Sequence, residues 1–354
     1  IIERHQTRRY HSYSNLHFKM GEYSDYKVNY FGETLKYAPN IVYLVVYAII
    51  FAYYSGMIIK SRYWFFNVTF FIGYGMEFIG FLGRVLAVGH EDQLGTYTMQ
   101  NFCLTVSPAF IMGGVYFIFG QMVVIHGSEF SILPPMWYSY FFITLDVCTI
   151  LIQAAGGGIS ASGSGGNLGT TLMIIGVATQ VASMSIFLFF WFEFLIKCYF
   201  KYSKQDGSRG PLTERSFSNF MKLLFNTPST RGYRANYLDE KYDSRYYKIR
   251  QGRLFGWFPL AITIAVVAVY IRCVYRVVEL AQGWGGYLMT HEIYLLVLDA
   301  SMITICGLVF IPFHPYWVLG KENILKRSAL KNATKANKSN FDDGYELSDR
   351  MSSY

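Results

Sequence analysis

Seven long apolar runs, broken by short polar links and one long one, organise this chain. They cover residues 41–59, 64–88, 99–125, 136–156, 168–200, 254–282 and 293–313. Each is near or above the roughly twenty residues that a helix needs to cross a hydrocarbon core about 30 Å thick. Lipid offers no partner to backbone N–H and C=O groups, so such runs must close their hydrogen bonds within a helix. The pattern predicts an all-α polytopic membrane protein, a seven-transmembrane-helix bundle over residues 41–313. It leaves a polar tail over 1–40, a long link over 201–253 and a second tail over 314–354. Inside the long link, SFSNFMKLLFN (216–226) brings Phe217, Phe220, Met221, Leu224 and Phe225 to one helical face. Beside Lys222 and Arg215, this fits a helix lying in the membrane interface, or equally a short helix packed on the bundle.

Composition strengthens the membrane reading. The chain is 53% hydrophobic and 19% aromatic, and only 15% of its 354 residues are charged, where a soluble domain carries about 25%. The net charge of +8 is distributed by side rather than along the chain. The link between runs five and six (197–253) holds thirteen Lys and Arg, the final tail seven, and the first link Lys60 and Arg62. The alternate links, 89–98, 157–167 and 283–292, hold none. Lys and Arg accumulate on the cytoplasmic side, so the expectation is a cytoplasmic C-terminus and, with seven spans, an external N-terminus. The sequons at Asn332 and Asn337 then face the cytosol, where they stay unmodified.

The candidate chemistry lies in ionisable and amide side chains inside the runs. Such groups are costly in lipid and mark functional positions. The second run has Glu77 and Arg84, seven residues apart, with Gly80 between them. The fourth has Asp146 and Gln153, again seven apart. The fifth has Gln180 and Ser183. The sixth has Arg272, Arg276 and Glu279, and the seventh Glu292, Asp299 and Cys306. Each helix therefore carries one polar stripe, and the simplest packing turns the stripes inward, pairing Glu77 or Asp146 with an arginine of the sixth helix. Four deep acids, Glu77, Asp146, Glu279 and Asp299, then face Arg84, Arg272 and Arg276, and the spare negative charge suits a cationic headgroup. The competing reading is a satisfied ion network that only fixes helix register. Glycines of MGGVYFIFG and of the GGG at 156–158 permit close helix approach, and Pro108 is placed to kink the third helix.

Other functions lack their motifs. No Gly-Lys-Ser/Thr follows the glycine-rich link GGGISASGSGG, so it is no phosphate-cradling loop. There is no HExxH, no GxSxG, no cofactor motif, no nucleic-acid-reading module and no lysine in the seventh run for a retinal Schiff base. The five cysteines, Cys103, Cys148, Cys198, Cys273 and Cys306, lie in or beside the runs without CxxC spacing, which argues against zinc and disulfides. His314, before Pro315, reads as a helix-end residue, and His291 beside Glu292 as an outer-surface pair. The expected class is a non-enzymatic membrane protein acting on membrane lipids. Its alternative is a seven-helix receptor or sensor of lipid asymmetry, although the third run is not followed by Asp/Glu-Arg-Tyr and the seventh lacks Asn-Pro-x-x-Tyr.

Six segments occur in one order and spacing: EFIGFLGR, LTVSPAFIMGGVYFIFG, DVCTILIQAAGGG, the Gln180 helix, RCVYRVVELAQGWGGYLMTHEIYLLVLD and FHP. Over residues 40–318 the chain resembles the fungal lipid-translocating exporter family, seven-span proteins tied to aminocholesterol resistance, and within it the branch that exports sphingoid long-chain bases. The resemblance implies a multi-pass plasma-membrane protein. It would move sphingoid bases such as phytosphingosine and dihydrosphingosine from the cytoplasmic leaflet to the outer side. Some relatives are linked to porphyrin uptake or drug resistance. The family's external tail often carries glycosylation sites, whereas residues 1–40 hold no Asn-x-Ser/Thr.

Overall fold

A computed structural model describes residues 29–32, 34–162, 167–202, 212–283 and 286–320. The rest of the N-terminal tail, residues 163–166 of the glycine-rich link, 203–211, the turn residues 284–285 and the tail beyond 320 with both sequons lie outside the described residues. Among the described residues, seven helices are long and apolar enough to span a membrane: α1 (Tyr37–Lys60), α2 (Trp64–Ala87), α3 (Leu94–His126), α4 (Pro135–Ser162), α5 (Leu168–Phe200), α6 (Phe258–Gln282) and α7 (Glu292–Val309). Among the described residues there is no strand, so the all-α class holds.

The helix α3 is the axis. In its most apolar stretch 78% of residues are buried, against 22% for α1, although the two stretches are almost equally hydrophobic. The main packing pairs are α1 with α2, α2 with α3, α3 with α4, α4 with α5, and α6 with both α5 and α7. Outward faces carry Val42, Val45 and Ile49 on α1, Trp137 and Leu151 on α4 and Phe189 on α5. Such a belt of exposed large apolar side chains suits hydrocarbon rather than water.

Small residues set the closest contacts. A Cβ placed on Gly80 would stand 2.7 Å from Leu104 Cδ2, and one on Gly156 2.7 Å from the Gly169 carbonyl oxygen. Both positions therefore need glycine so that α2 can lie on α3 and α4 on α5. Tyrosines set the α1–α7 register. Tyr43, Tyr47 and Tyr54 donate to the carbonyls of Leu296 (2.9 Å), Ala300 (2.7 Å) and Gly307 (3.2 Å), each across 253 residues of sequence. A constant offset means that the two helices run parallel. The start of α1 and the end of α7 therefore lie at opposite ends of the bundle. Mid-way, Leu295–Ala300 is wound as a π-helix, a rare turn that widens the ladder and is common at functional sites.

One end of the bundle is basic. The helix Phe217–Leu224 packs there with Leu223 and Leu224 buried, and Phe220 lies against Phe192 and Tyr199. Phe217 and Phe225 remain exposed. The apolar face read from sequence is thus divided between the bundle and the outside. The long link is tied down by Arg250, which ion-pairs with Asp239 and donates to the carbonyls of Ile125 (2.9 Å) and Asp243 (2.6 Å). Tyr242 donates to the Cys198 carbonyl at 2.9 Å. On this exposed link the bonds from Arg245 hold the Asp243 carboxyl below its usual range. At the same end, Lys60 stacks 4.8 Å from the Trp317 ring centroid. His314 is fully buried and caps the short helix Pro315–Val318 by accepting from the Tyr316 N–H at 3.0 Å, a helix-end role as expected. Its other nitrogen donates to Asn67 Oδ1 at 2.7 Å. Burial pushes its pKa down to about 3.

Candidate functional site

The ten polar positions singled out in the sequence are all buried, but they form three groups rather than one. The first joins four helices around Arg84. Its guanidinium meets Glu292 Oε1 at 2.6 Å and donates to Asn40 Oδ1 (2.8 Å) and Gln100 Oε1 (3.2 Å). Asn40 donates to Glu292 Oε1 at 2.6 Å, and the Lys36 N–H donates to Oε2 at 3.1 Å. Glu292 is therefore not half of a surface pair with His291. It begins α7, so its first-turn side chain swings under the loop to reach Arg84, while His291 Nδ1–H donates to the Tyr287 carbonyl at 2.8 Å.

The second group joins α2, α3, α6 and α7. Asp299, inside the π-helical segment, ion-pairs with both Arg272 and Arg276. Arg276 also pairs with Glu279 at 2.9 Å, where Tyr275 donates at the same distance. Arg272 approaches Glu77 at 3.9 Å and donates to the carbonyl of Leu104. That carbonyl is free for a covalent reason. It lies four residues before Pro108, whose nitrogen carries no hydrogen to close the helical bond. The proline read as a kink residue thus creates an acceptor for an arginine of α6.

The third group lies between α3, α4 and α5. Asp146 accepts from Tyr116 at 3.1 Å through one oxygen, while its other oxygen meets no hydrogen-bond partner among the described residues. It pairs with no arginine, contrary to the expected alternative, because α6 aims Arg272 and Arg276 at α7 and α2. About two turns further along α4, Gln153 donates to Gln180 of α5 at 3.4 Å, with its own carbonyl oxygen unpaired among the described residues.

The charge balance is lopsided. Five buried acids, Glu77, Asp146, Glu279, Glu292 and Asp299, face three buried arginines. Glu292 is matched to Arg84, and Asp299 and Glu279 to Arg272 and Arg276. Asp146 has no arginine among the described residues, and Glu77 shares Arg272 with Asp299 at the longer distance of 3.9 Å. Neither oxygen of Glu77 finds a hydrogen-bond donor among the described residues, and the Ser107 hydroxyl beside it donates to the Gly73 carbonyl. Uncompensated buried carboxylates cost several kcal/mol unless a proton or a cation joins them. Towards the end whose links carry no Lys or Arg, Arg84, Arg276, Glu279 and Glu292 line a crevice of about 50 Å³ together with Phe31 and Leu35. Among the described residues no cluster of His, Cys, Asp and Glu is arranged to hold a metal ion.

Sequence reasoning missed Asn40, Gln100, Tyr116 and Tyr275. Asn40 and Gln100 sit at the edges of their apolar runs and look like boundary residues. The two tyrosines are hidden among the 30 in the chain, where only contact geometry separates a carboxylate partner from a packing residue.

Three comparisons bear on what this arrangement serves. Residues 70–322 match the family described as RTA1 like protein. The sphingoid long-chain base transporter RSB1 of Saccharomyces cerevisiae is 33% identical over 78% of this chain and 70% of its own length. Two further proteins of the same organism, RTM1 and protoporphyrin uptake protein 1, are each 24% identical. RTM1 aligns over 73% of this chain and 70% of its own length, the uptake protein over 69% and 66%. No solved structure matches the chain.

Proposed function

As the chain belongs to the RTA1-like family of membrane proteins, we propose that it is a multi-pass lipid transporter that moves sphingoid long-chain bases across the membrane. A sphingoid base has a protonated amine, hydroxyls and one long apolar tail. The observation that carries the reading is the pair of under-compensated buried acids: Asp146, with no arginine partner among the described residues, and Glu77, which Arg272 reaches only at 3.9 Å. A passing ammonium supplies the missing charge, which is the chemistry an intramembrane carboxylate offers a cationic headgroup. The amides of Gln153 and Gln180 lie on the same side of the bundle as Asp146 and suit the hydroxyls. The tail stays in lipid or against the aromatic side chains that line α3 to α5.

The arginine-paired acids serve a different purpose in this reading. Arg84 with Glu292, and Arg272 and Arg276 with Asp299 and Glu279, hold α1, α2, α3, α6 and α7 in register. The basic end, with Lys60, Arg62 and the 201–253 link, faces the cytoplasm by the positive-inside rule. The protein then sits in the plasma membrane with α1 starting outside. Transport runs from the cytoplasmic leaflet outward. The transporter among its relatives supports a carrier rather than an enzyme.

The test is efflux of a labelled sphingoid base from cells that express the protein, with surface protein quantified in parallel. Glu77→Gln and Asp146→Asn keep side-chain size and remove the charge. Efflux should fall about tenfold in at least one of them, the equivalent of one lost charged contact, with surface protein unchanged. Full efflux in both removes the binding role of these acids.

A further inference from the structure

A second cavity lies away from the buried acids, at the basic end. It measures about 600 Å³ and lies between the end of α3 and the start of α6. Its wall holds Arg231, Arg234, Arg250 and Arg253, with His126 at the end of α3. Asp239 is the one acid on the wall, and Arg250 already holds it. Arg234 donates to the Gly256 carbonyl at 2.9 Å and lies 6.0 Å from the Tyr199 ring centroid, so its position is fixed while its charge stays unmatched. Arg231 and Arg253 are exposed and pair with no acidic side chain among the described residues. Three guanidinium charges therefore converge on a concave site without a compensating anion. Gly256 and Trp257, also on the wall, lead into the first turn of the 25-residue α6, which adds its partial positive charge to the same space.

We propose that this cavity binds the phosphate of an anionic lipid headgroup from the leaflet at the basic end of the bundle. Guanidinium forks match phosphate oxygens two at a time, and three guanidinium groups offer more such forks than the two oxygens of one carboxylate, or a chloride, can take. The volume lies within the range of small-molecule pockets and far exceeds a bare phosphate. The position favours a lipid source. The cavity lies between the end of α3 and the start of α6, Tyr247 on its wall is exposed, and Phe225 and Leu254, next in sequence to the wall residues Asn226 and Phe255, are exposed apolar side chains. Basic groups interleaved with aromatic and aliphatic ones at such a boundary are suited to anionic lipid. The chain's own acidic segment, Asp342 to Asp349, is the competing anion. It lies beyond a stretch of Lys326, Arg327, Lys331, Lys335 and Lys338, which the same arginines repel.

The test uses the full-length protein in detergent, read by native mass spectrometry after exposure to phosphatidic acid or to phosphatidylcholine of equal chain length. Phosphatidic acid should be retained preferentially, and R231Q/R253Q should weaken its retention at least about tenfold, as loss of charge-assisted hydrogen bonds does. K60Q/R62Q, at the same end but off the cavity, should leave retention unchanged. Because Arg231 and Arg253 are exposed, the thermal midpoint of the double variant should match the wild type. Retention of both lipids alike, or no loss in R231Q/R253Q, overturns the proposal. Displacement of phosphatidic acid by millimolar inorganic phosphate assigns the site to free phosphate and also overturns it. So does lipid binding that appears only after Asp342, Asp343, Glu346 and Asp349 are neutralised, since the tail would then be the occupant.

Discussion

At the scale of single residues, the buried carboxylates divide by what neutralises them. Asp299 lies between two arginines and Glu292 against one, whereas Asp146 has one tyrosine hydroxyl and an oxygen with no partner among the described residues. The same chemical change should thus have opposite consequences. Asp299→Asn strands Arg272 and Arg276, and losing one side of a buried ion pair costs about 3–5 kcal/mol. The expected result is a loss of folded protein, read as a fall in surface level and in the thermal midpoint. Asp146→Asn removes an uncompensated charge, so the folded protein should persist and base transport should fall. Sequence placed these acids inside membrane helices and noted that they outnumber the arginines. It did not tell which acid was spare, because the pairing depends on helix rotation. Arg272 is held partly by a backbone oxygen that Pro108 frees four residues upstream, and no side-chain pattern reveals that.

At the scale of elements, the seven-residue spacing of Glu77 and Arg84, of Asp146 and Gln153, and of Glu292, Asp299 and Cys306 was readable as inward stripes. The π-helical segment that carries Asp299 was not, since it adds a residue to one turn without a sequence marker. Nor was the tyrosine ladder of α1, although Tyr43, Tyr47 and Tyr54 stand at helical spacing, because an aromatic stripe reads equally as core or as lipid contact. The ladder is open to direct test. Tyr47→Phe removes one hydrogen bond to α7, and Tyr47→Phe with Tyr54→Phe removes two. Each should lower stability by about 1 kcal/mol, seen as stepwise falls in the thermal midpoint. The α2–α3 contact is less forgiving. Gly80→Val drives a branched side chain into Leu104, and overpacking of this kind costs about 1–3 kcal/mol. The measurement is the yield of monodisperse protein in detergent.

For the whole molecule, charge asymmetry divides the bundle into a basic end and an end whose links carry no Lys or Arg. His314 belongs to the basic end and gives it a pH dependence. Its folded pKa of about 3 lies below the ordinary value near 6.5, so the unfolded chain takes the proton first. The stabilisation is complete above about pH 6.5 and declines as pH falls, at up to about 1.4 kcal/mol per unit until the folded value is reached. The thermal midpoint of the wild type should drop between pH 6.5 and 4.5. His314→Gln should be less stable at pH 7 and flatter across that interval.

The central claim is direct movement of a cationic amphiphile by this chain through its spare buried acids. The decisive measurement is transbilayer movement of a labelled sphingoid base in liposomes that contain only the purified protein, with and without a proton gradient. The N-acylated analogue, which has no charged amine, serves as the comparison. The account predicts that wild-type protein moves the base well above the protein-free rate, that the acylated analogue is not accelerated, and that Asp146→Asn loses most of the activity. Binding of the base without movement, or equal acceleration of the base and its acylated analogue, would contradict it.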